Sequence, residues 1–173
     1  IVTDLSLLST QEEVTALKNK YVRVSKVTSR SGSRITYRTA KKIIEHNYNW
    51  PLNNTAISSC YGSRTLRGTT KMHTGVDIPC ALNSNIEAVD NGTVIFAGWS
   101  GGYGYYIQID HGAGIISAYA HLNSLSVSVG DIITKGQVIG LSGSTGNSTG
   151  PHLHLEYLVN GNFIDPLTFY QDS

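Results

Sequence analysis

The sequence predicts a mostly antiparallel β domain preceded by a short, basic, partly helical extension. Three observations predict it. Eighteen glycines and ten tyrosines in 173 residues favour strands and tight turns. From about Tyr48 onward, short β-branched or aromatic runs alternate with Asn-Gly, Gly-Gly, His-Gly and Val-Gly-Asp breaks, with scarcely a helical window among them. The charge pattern changes at the same place. Lys18 to Lys42 holds nine basic residues and no acid, whereas from His46 onward four basic residues face eight acidic ones.

The expected organisation is therefore an extension over residues 1–47 and a β domain over 48–173. In the extension, "STQEEVTALKNKY" opens like a helix, with Ser9 or Thr10 as N-cap, Glu12 and Glu13 in the first turn, and Val14, Leu17 and Tyr21 at helical spacing. "SRSGSRITYR" is turn-rich, and "TAKKIIEH" fits a second short helix ending at His46, a surface residue on this reading. In the β domain the strands are "NIEAVD", "GTVIFAGWS", "YGYYIQID", "GIISAYAHL", "QVIGLSG" and "HLHLEYLV". Runs at this spacing build an antiparallel sheet.

Composition narrows the function. The net charge is +1, and no apolar stretch approaches the roughly 20 residues of a membrane-spanning helix. The basic run over residues 18–42 is either a solvated face packed on the β domain or a footprint for an anionic wall or lipid surface. Nucleic acid is not expected, since the run has little aromatic interleaving and no groove-reading motif. The chain begins with Ile1 and has no signal-peptide pattern, which reads as a processed form or a fragment. Cys60 and Cys80 lack close CxxC spacing and are either one disulfide or two free thiols. A bridge would close a loop of about 20 residues, contribute about 3 kcal/mol and fit an extracytoplasmic protein.

The histidines carry the chemistry. In "PHLHLEY", period two sets His152 and His154 on one face and Leu153 and Leu155 on the other. Burying two adjacent imidazoles needs two satisfied hydrogen-bond networks, so a metal or catalytic role competes evenly with a core role. "KMHTGVDIP" sets His73 and Asp77 four apart. Together with one HLH histidine they supply three ligands suited to zinc, with a fourth position left for water. Such a site makes a hydroxide nucleophile near neutral pH, and the second HLH histidine stands within reach of it. "YAHLNS" adds His121. His111, in "IDHGAG", is explained by a turn between strands.

These segments resemble the LytM/lysostaphin-type zinc endopeptidases. The resemblance runs from "YNWPLNNTAISSCYGSR" through "MHTGVDI", "AVDNGTVIFAGW", "IQIDHG", "AYAHL" and "VGDIITKGQVIGLSGSTGNSTGPHLHLEY" to "DPLTFY", about residues 48 to 168. It implies a β-sheet enzyme that binds one Zn2+ per chain and cuts peptides of bacterial peptidoglycan outside the cytoplasm, in a cell envelope, in secretion or on a phage particle. It implies His73, Asp77 and His154 as metal ligands, with His121 and His152 as the catalytic pair beside the zinc water. Some members carry a tyrosine near the site, for which Tyr61, Tyr103 and Tyr105 are candidates. Segments 66–71, 98–106 and 143–150 are expected to wall the cleft.

Two other readings share parts of the pattern. An inactive, wall-binding or scaffolding relative would keep the fold, but such relatives usually lose a ligand or a free histidine, and all five are present. "AVDNGTV" and "SVGDIITKGQVIG" resemble half-motifs of biotinyl and lipoyl carriers. Lys135 does not lie at the hairpin tip those modules require, and a carrier has no use for the histidines.

Overall fold

A computed structural model of the chain describes residues 47–66 and 68–170. The helices expected between residues 9 and 46, the basic run and His46 lie outside the described residues. Among the described residues there are eleven strands: β1 (Gly62–Leu66), β2 (Thr69–His73), β3 (Val76–Pro79), β4 (Asn85–Glu87), β5 (Gly92–Trp99), β6 (Tyr105–Asp110), β7 (Ile115–Leu125), β8 (Ile132–Ile133), β9 (Val138–Ser142), β10 (His152–Val159) and β11 (Asn162–Ile164). β1 and β2 form a hairpin of their own. The other nine form one antiparallel sheet with β11, β10, β7, β6, β5 and β8 as successive neighbours; β3 pairs with β10, and β9 joins β4 to β7.

The six strands expected between Asn85 and Val159 are present, within a few residues of their predicted limits. The β1–β2 hairpin, β3, the two-residue β8 and β11 were not anticipated as strands. They are short, and β2 is exposed except at His73, so little hydrophobic alternation marks them.

The sheet is buried on both faces over its centre. One face carries the main core, in which Val76, Ile78, Ile107, Ile109, Leu153 and Leu155 are fully buried. At one end Tyr157 stacks on Phe169 at 4.0 Å and meets Tyr48 edge-on at 5.7 Å. The beginning and end of the domain thus meet in space, with the short 3-10 turn Pro166–Phe169 as the closing element. On the other face Phe96, Tyr103 and Tyr106 cover Ala118 and Ala120 of β7. Two small side chains there let the rings lie close to the sheet, and Tyr103 stacks on Tyr106 at 4.7 Å.

Gly75 is needed where β3 meets β10: a Cβ there would lie 2.2 Å from the Leu155 carbonyl oxygen. Near residue 121 the register slips, from Ile107 opposite Tyr119 to Tyr105 opposite Leu122. His121 sits in this bulge at φ 61°, a left-handed conformation costly for a non-glycine residue.

The alternative for the cysteines resolves as two free thiols. Cys60 is exposed, and Cys80 is half-buried against the core, where burial pushes its thiol pKa up. His111 is more than a turn residue. It is buried, its Nδ1 hydrogen-bonds the Asn91 carbonyl at 2.7 Å, and its Nε2 meets Ser117 Oγ at 2.7 Å. Ser117 in turn bonds Tyr119 Oη, which accepts from Val89 N–H. The turn folds the imidazole inward, a direction that residue spacing alone does not encode.

Candidate metal centre and its cleft

Strand register brings the predicted ligands together. His73 ends β2, Asp77 lies on β3, and in the β3–β10 pairing Asp77 stands directly opposite His154. His73 Nε2 lies 3.1 Å from Asp77 Oδ1 and 3.1 Å from His154 Nδ1, and His154 Nδ1 lies 2.8 Å from Asp77 Oδ1. These three ligand atoms form the one His/Cys/Asp/Glu group with metal-binding proximity among the described residues. A tetrahedral zinc with bonds of about 2.0–2.1 Å sets its ligand atoms about 3.3 Å apart. The observed triangle is a few tenths of an ångström tighter, an amount that small side-chain rotations provide, so donor set and spacing fit the ion.

The second nitrogen of each ligand histidine is also engaged. His73 Nδ1 donates to the Cys60 carbonyl at 2.8 Å, which leaves Nε2 with its lone pair toward the centre. His154 is turned the other way. Its Nδ1 faces the centre, and its Nε2 lies 3.1 Å from Glu156 Oε1.

Glu156 is fully buried, a position an unpartnered carboxylate rarely occupies. Besides His154 it accepts hydrogen bonds from the hydroxyls of Thr74, Tyr103 and Tyr106, the last two at 2.9 and 3.3 Å. Glu156 was missed at the level of sequence. The signal was present, because in "HLHLE" the same period of two that pairs the histidines puts Glu156 on their face.

Electrostatics follow from this packing. Burial works against ionisation of Asp77, but hydrogen bonds and charge from His154 and His73 hold its carboxyl well below the usual carboxylate range. Burial would lower His154, yet Asp77 and Glu156 together push it up to about 9. For Glu156, burial is outweighed by hydrogen bonds from His154, Thr74 and Tyr103, so its pKa lies below the ordinary value.

His152 and His121 stand beside this centre. Their rings are 4.7 Å apart, and His121 lies 5.9 Å from His154 between ring centroids. His121 Nδ1 bonds the Thr145 carbonyl and His152 Nδ1 bonds the Gly150 carbonyl, each at 2.8 Å. Both rings therefore keep Nε2 as a lone-pair acceptor, and that of His152 lies 3.8 Å from Asp77 Oδ1. Burial, more than its neighbours, lowers the His121 pKa and keeps the ring neutral at pH 7.

The cleft has a volume of about 830 Å³. Its walls include Gly102 and Tyr103 from segment 98–106, and Asn147 and Thr149 from segment 143–150, as expected. The two walls touch: a Cβ on Gly146, which sits at φ 69°, would lie 2.4 Å from the Gly102 carbonyl oxygen. No described residue of segment 66–71 lines the cleft; the β1–β2 hairpin contributes Arg64 and His73, and Thr74 follows β2. Of the three tyrosines, Tyr103 reaches the cleft, with its hydroxyl on Glu156. Tyr61 donates to the Phe163 carbonyl, and Tyr105 packs edge-on against exposed Trp99.

The chain is similar to known peptidases in sequence and in fold. The DD-carboxypeptidase/endopeptidase Mpg of Neisseria meningitidis is 41% identical over 120 residues, which cover 68% of this chain and 28% of Mpg. The chain thus spans just over a quarter of that relative. The catalytic domain of the antimicrobial peptidase lysostaphin from Staphylococcus simulans superposes with a TM-score of 0.62 at 36% identity, covering 68% of this chain and 92% of that one. A zinc-containing peptidase from Vibrio cholerae superposes with a TM-score of 0.65 at 29% identity, covering 69% and 39%. Residues 71–166, which hold all five cleft side chains His73, Asp77, His121, His152 and His154, match the model of Peptidase family M23, and the chain belongs to that family.

Proposed function

We propose that this chain is a zinc endopeptidase that hydrolyses peptide bonds of bacterial peptidoglycan, and that it works outside the cytoplasm. The observation that carries the reading is the division of labour in one cleft. Three donor atoms converge within 3.1 Å of one another, and two further imidazoles beside them keep an unshared nitrogen.

In this reading His73, Asp77 and His154 hold the metal. Zinc bound there supplies a Lewis acid for the scissile carbonyl and lowers the pKa of a coordinated water toward about 7. The remaining work falls to the chain. Nε2 of His152 and of His121 lies open to accept the proton of the attacking water; the Nε2–H so formed would hydrogen-bond the developing oxyanion and then return the proton to the leaving amine. Carbonyls of Thr145 and Gly150 hold both rings in the tautomer this requires. Glu156 fixes the tautomer of His154 in the same way. The substrate class follows from the resemblance to the LytM/lysostaphin-type enzymes.

Incubation with purified peptidoglycans of different cross-bridge chemistry, with released ends identified by mass spectrometry, tests the proposal. New amine and carboxyl ends should appear, vanish with a chelator and return with zinc. Protein that holds one zinc per chain yet leaves every peptidoglycan intact would instead be a scaffolding or wall-binding member of the family.

A further inference from the structure

We propose that Arg64 reads a free carboxylate on the substrate peptide next to the bond that is cut. The inference rests on the peptidase reading above and names what the cleft selects. Arg64 lies on β1, lines the cleft beside His73 and Asp77, and is the one lysine or arginine among its described lining residues.

Its guanidinium is anchored at one corner. Nη1 donates to Ser59 Oγ at 2.6 Å and lies 3.5 Å from Asp77 Oδ2. Ser59 is itself tied to the metal-bearing strand, since its carbonyl accepts from Asp77 N–H at 2.9 Å. No described residue takes a hydrogen bond from Nε or Nη2. The side chain is 40% exposed and lines the cleft, so a substrate can reach it.

The contact with Asp77 does not explain the residue. At 3.5 Å and partly exposed, the pair is weak, and Asp77 already bonds both His73 and His154. A divalent ion in the centre is matched by two carboxylates, Asp77 and Glu156. The charge on Arg64 is then surplus, a few ångströms from a dication. An anion from the substrate relieves it, and the planar fork of a guanidinium suits a carboxylate's two oxygens. A peptide with a free α- or side-chain carboxylate beside the scissile bond meets this need.

The test uses two synthetic peptides identical except that the carboxyl group nearest the scissile bond is free in one and a carboxamide in the other. A second pair carries a reduced, uncleavable bond for calorimetry. Zinc-loaded protein should bind the free carboxylate about tenfold more tightly and show a correspondingly lower KM. In R64Q that preference should collapse to about onefold, and R64K should restore part of it, supplying charge without the fork. Equal binding of the two peptides by the unaltered protein overturns the inference, as does a preference that survives in R64Q. If R64Q lowers kcat on both peptides by one factor and keeps the preference, Arg64 acts through Asp77 and not on substrate. If neither cleavable peptide is cut, the peptidase reading fails, while the calorimetric pair still decides the role of Arg64.

Discussion

His111, in the turn between β6 and β7, and His121, on β7, are both buried at the level of 6–7% exposure, yet their ring nitrogens differ. His111 has both engaged, one by the Asn91 carbonyl and one by Ser117. His121 has Nδ1 on the Thr145 carbonyl and keeps Nε2 for the cleft. A histidine with both nitrogens satisfied by protein is a structural element; one held by a single nitrogen is oriented and still able to accept a proton. The ligand histidines follow the same logic, each bonded away from the centre through one nitrogen and directed to it by the other.

Substitution would break that contrast most sharply at the ligands. Replacing His73, Asp77 or His154 with Ala should abolish both zinc content and cleavage, because two protein ligands hold the ion poorly. Atomic emission beside a peptide-cleavage rate checks this. An H154A variant that keeps its zinc while H152A loses it would reverse the roles within "HLH".

The next largest effect falls on His121 and His152. Changing either to Ala should leave one zinc per chain and cut turnover by roughly 10² to 10⁴, the range for losing a general acid or base. Because His121 titrates below the ordinary histidine value, activity that depends on its neutral form should persist into mildly acidic buffer and fall only as pH drops below the usual histidine range. A pH–rate profile of unaltered protein reads this.

A smaller effect separates the metal-free protein from the loaded one. The His154 pKa is raised from 6.5 to about 9, so in metal-free protein its proton stabilises the fold fully below about 6.5, and that contribution is lost as pH rises through about 9. Zinc must displace this proton, so its affinity should rise over the same window. Melting temperatures of chelated and zinc-loaded samples should diverge from pH 6 to pH 9. A constant gap would show that His154 holds no such proton.

The smallest change in turnover is expected at His111. H111A should leave zinc content and rate unaltered while lowering stability by about 1–3 kcal/mol, because Asn91 and Ser117 lose a buried partner. Denaturant midpoints beside the cleavage assay make the comparison direct.

Much of this was legible in the residues. Alternation in "HLHLEYLV" located β10 and its two faces, and HxxxD with HxH pointed to the candidate metal centre, because strand periodicity converts spacing into a shared surface. Glu156 was equally legible, since it stands two residues beyond His154 on the same face of β10. The inward turn of His111 was not, as it depends on Ser117 of β7 and on Asn91, which precedes β5. Nor were the free thiols, because two cysteines 20 apart in sequence carry no information on whether their side chains meet. The role of Arg64 was hidden for a similar reason: β1 and β2 have little hydrophobic pattern, and only their pairing carries the hairpin's arginine to the cleft.

The left-handed backbone at His121 bears on how the protein would respond to laboratory selection. A glycine at that position would relieve strain on the order of 1 kcal/mol. A campaign that ranked variants by heat resistance alone would therefore favour discarding the imidazole proposed to handle the proton. Under the proposed function, the same residue would be recovered in a screen for clearing zones on a cell-wall overlay. Optimising this chain for shelf life and for lytic strength thus pulls residue 121 in opposite directions, and a stabilisation programme should hold it fixed.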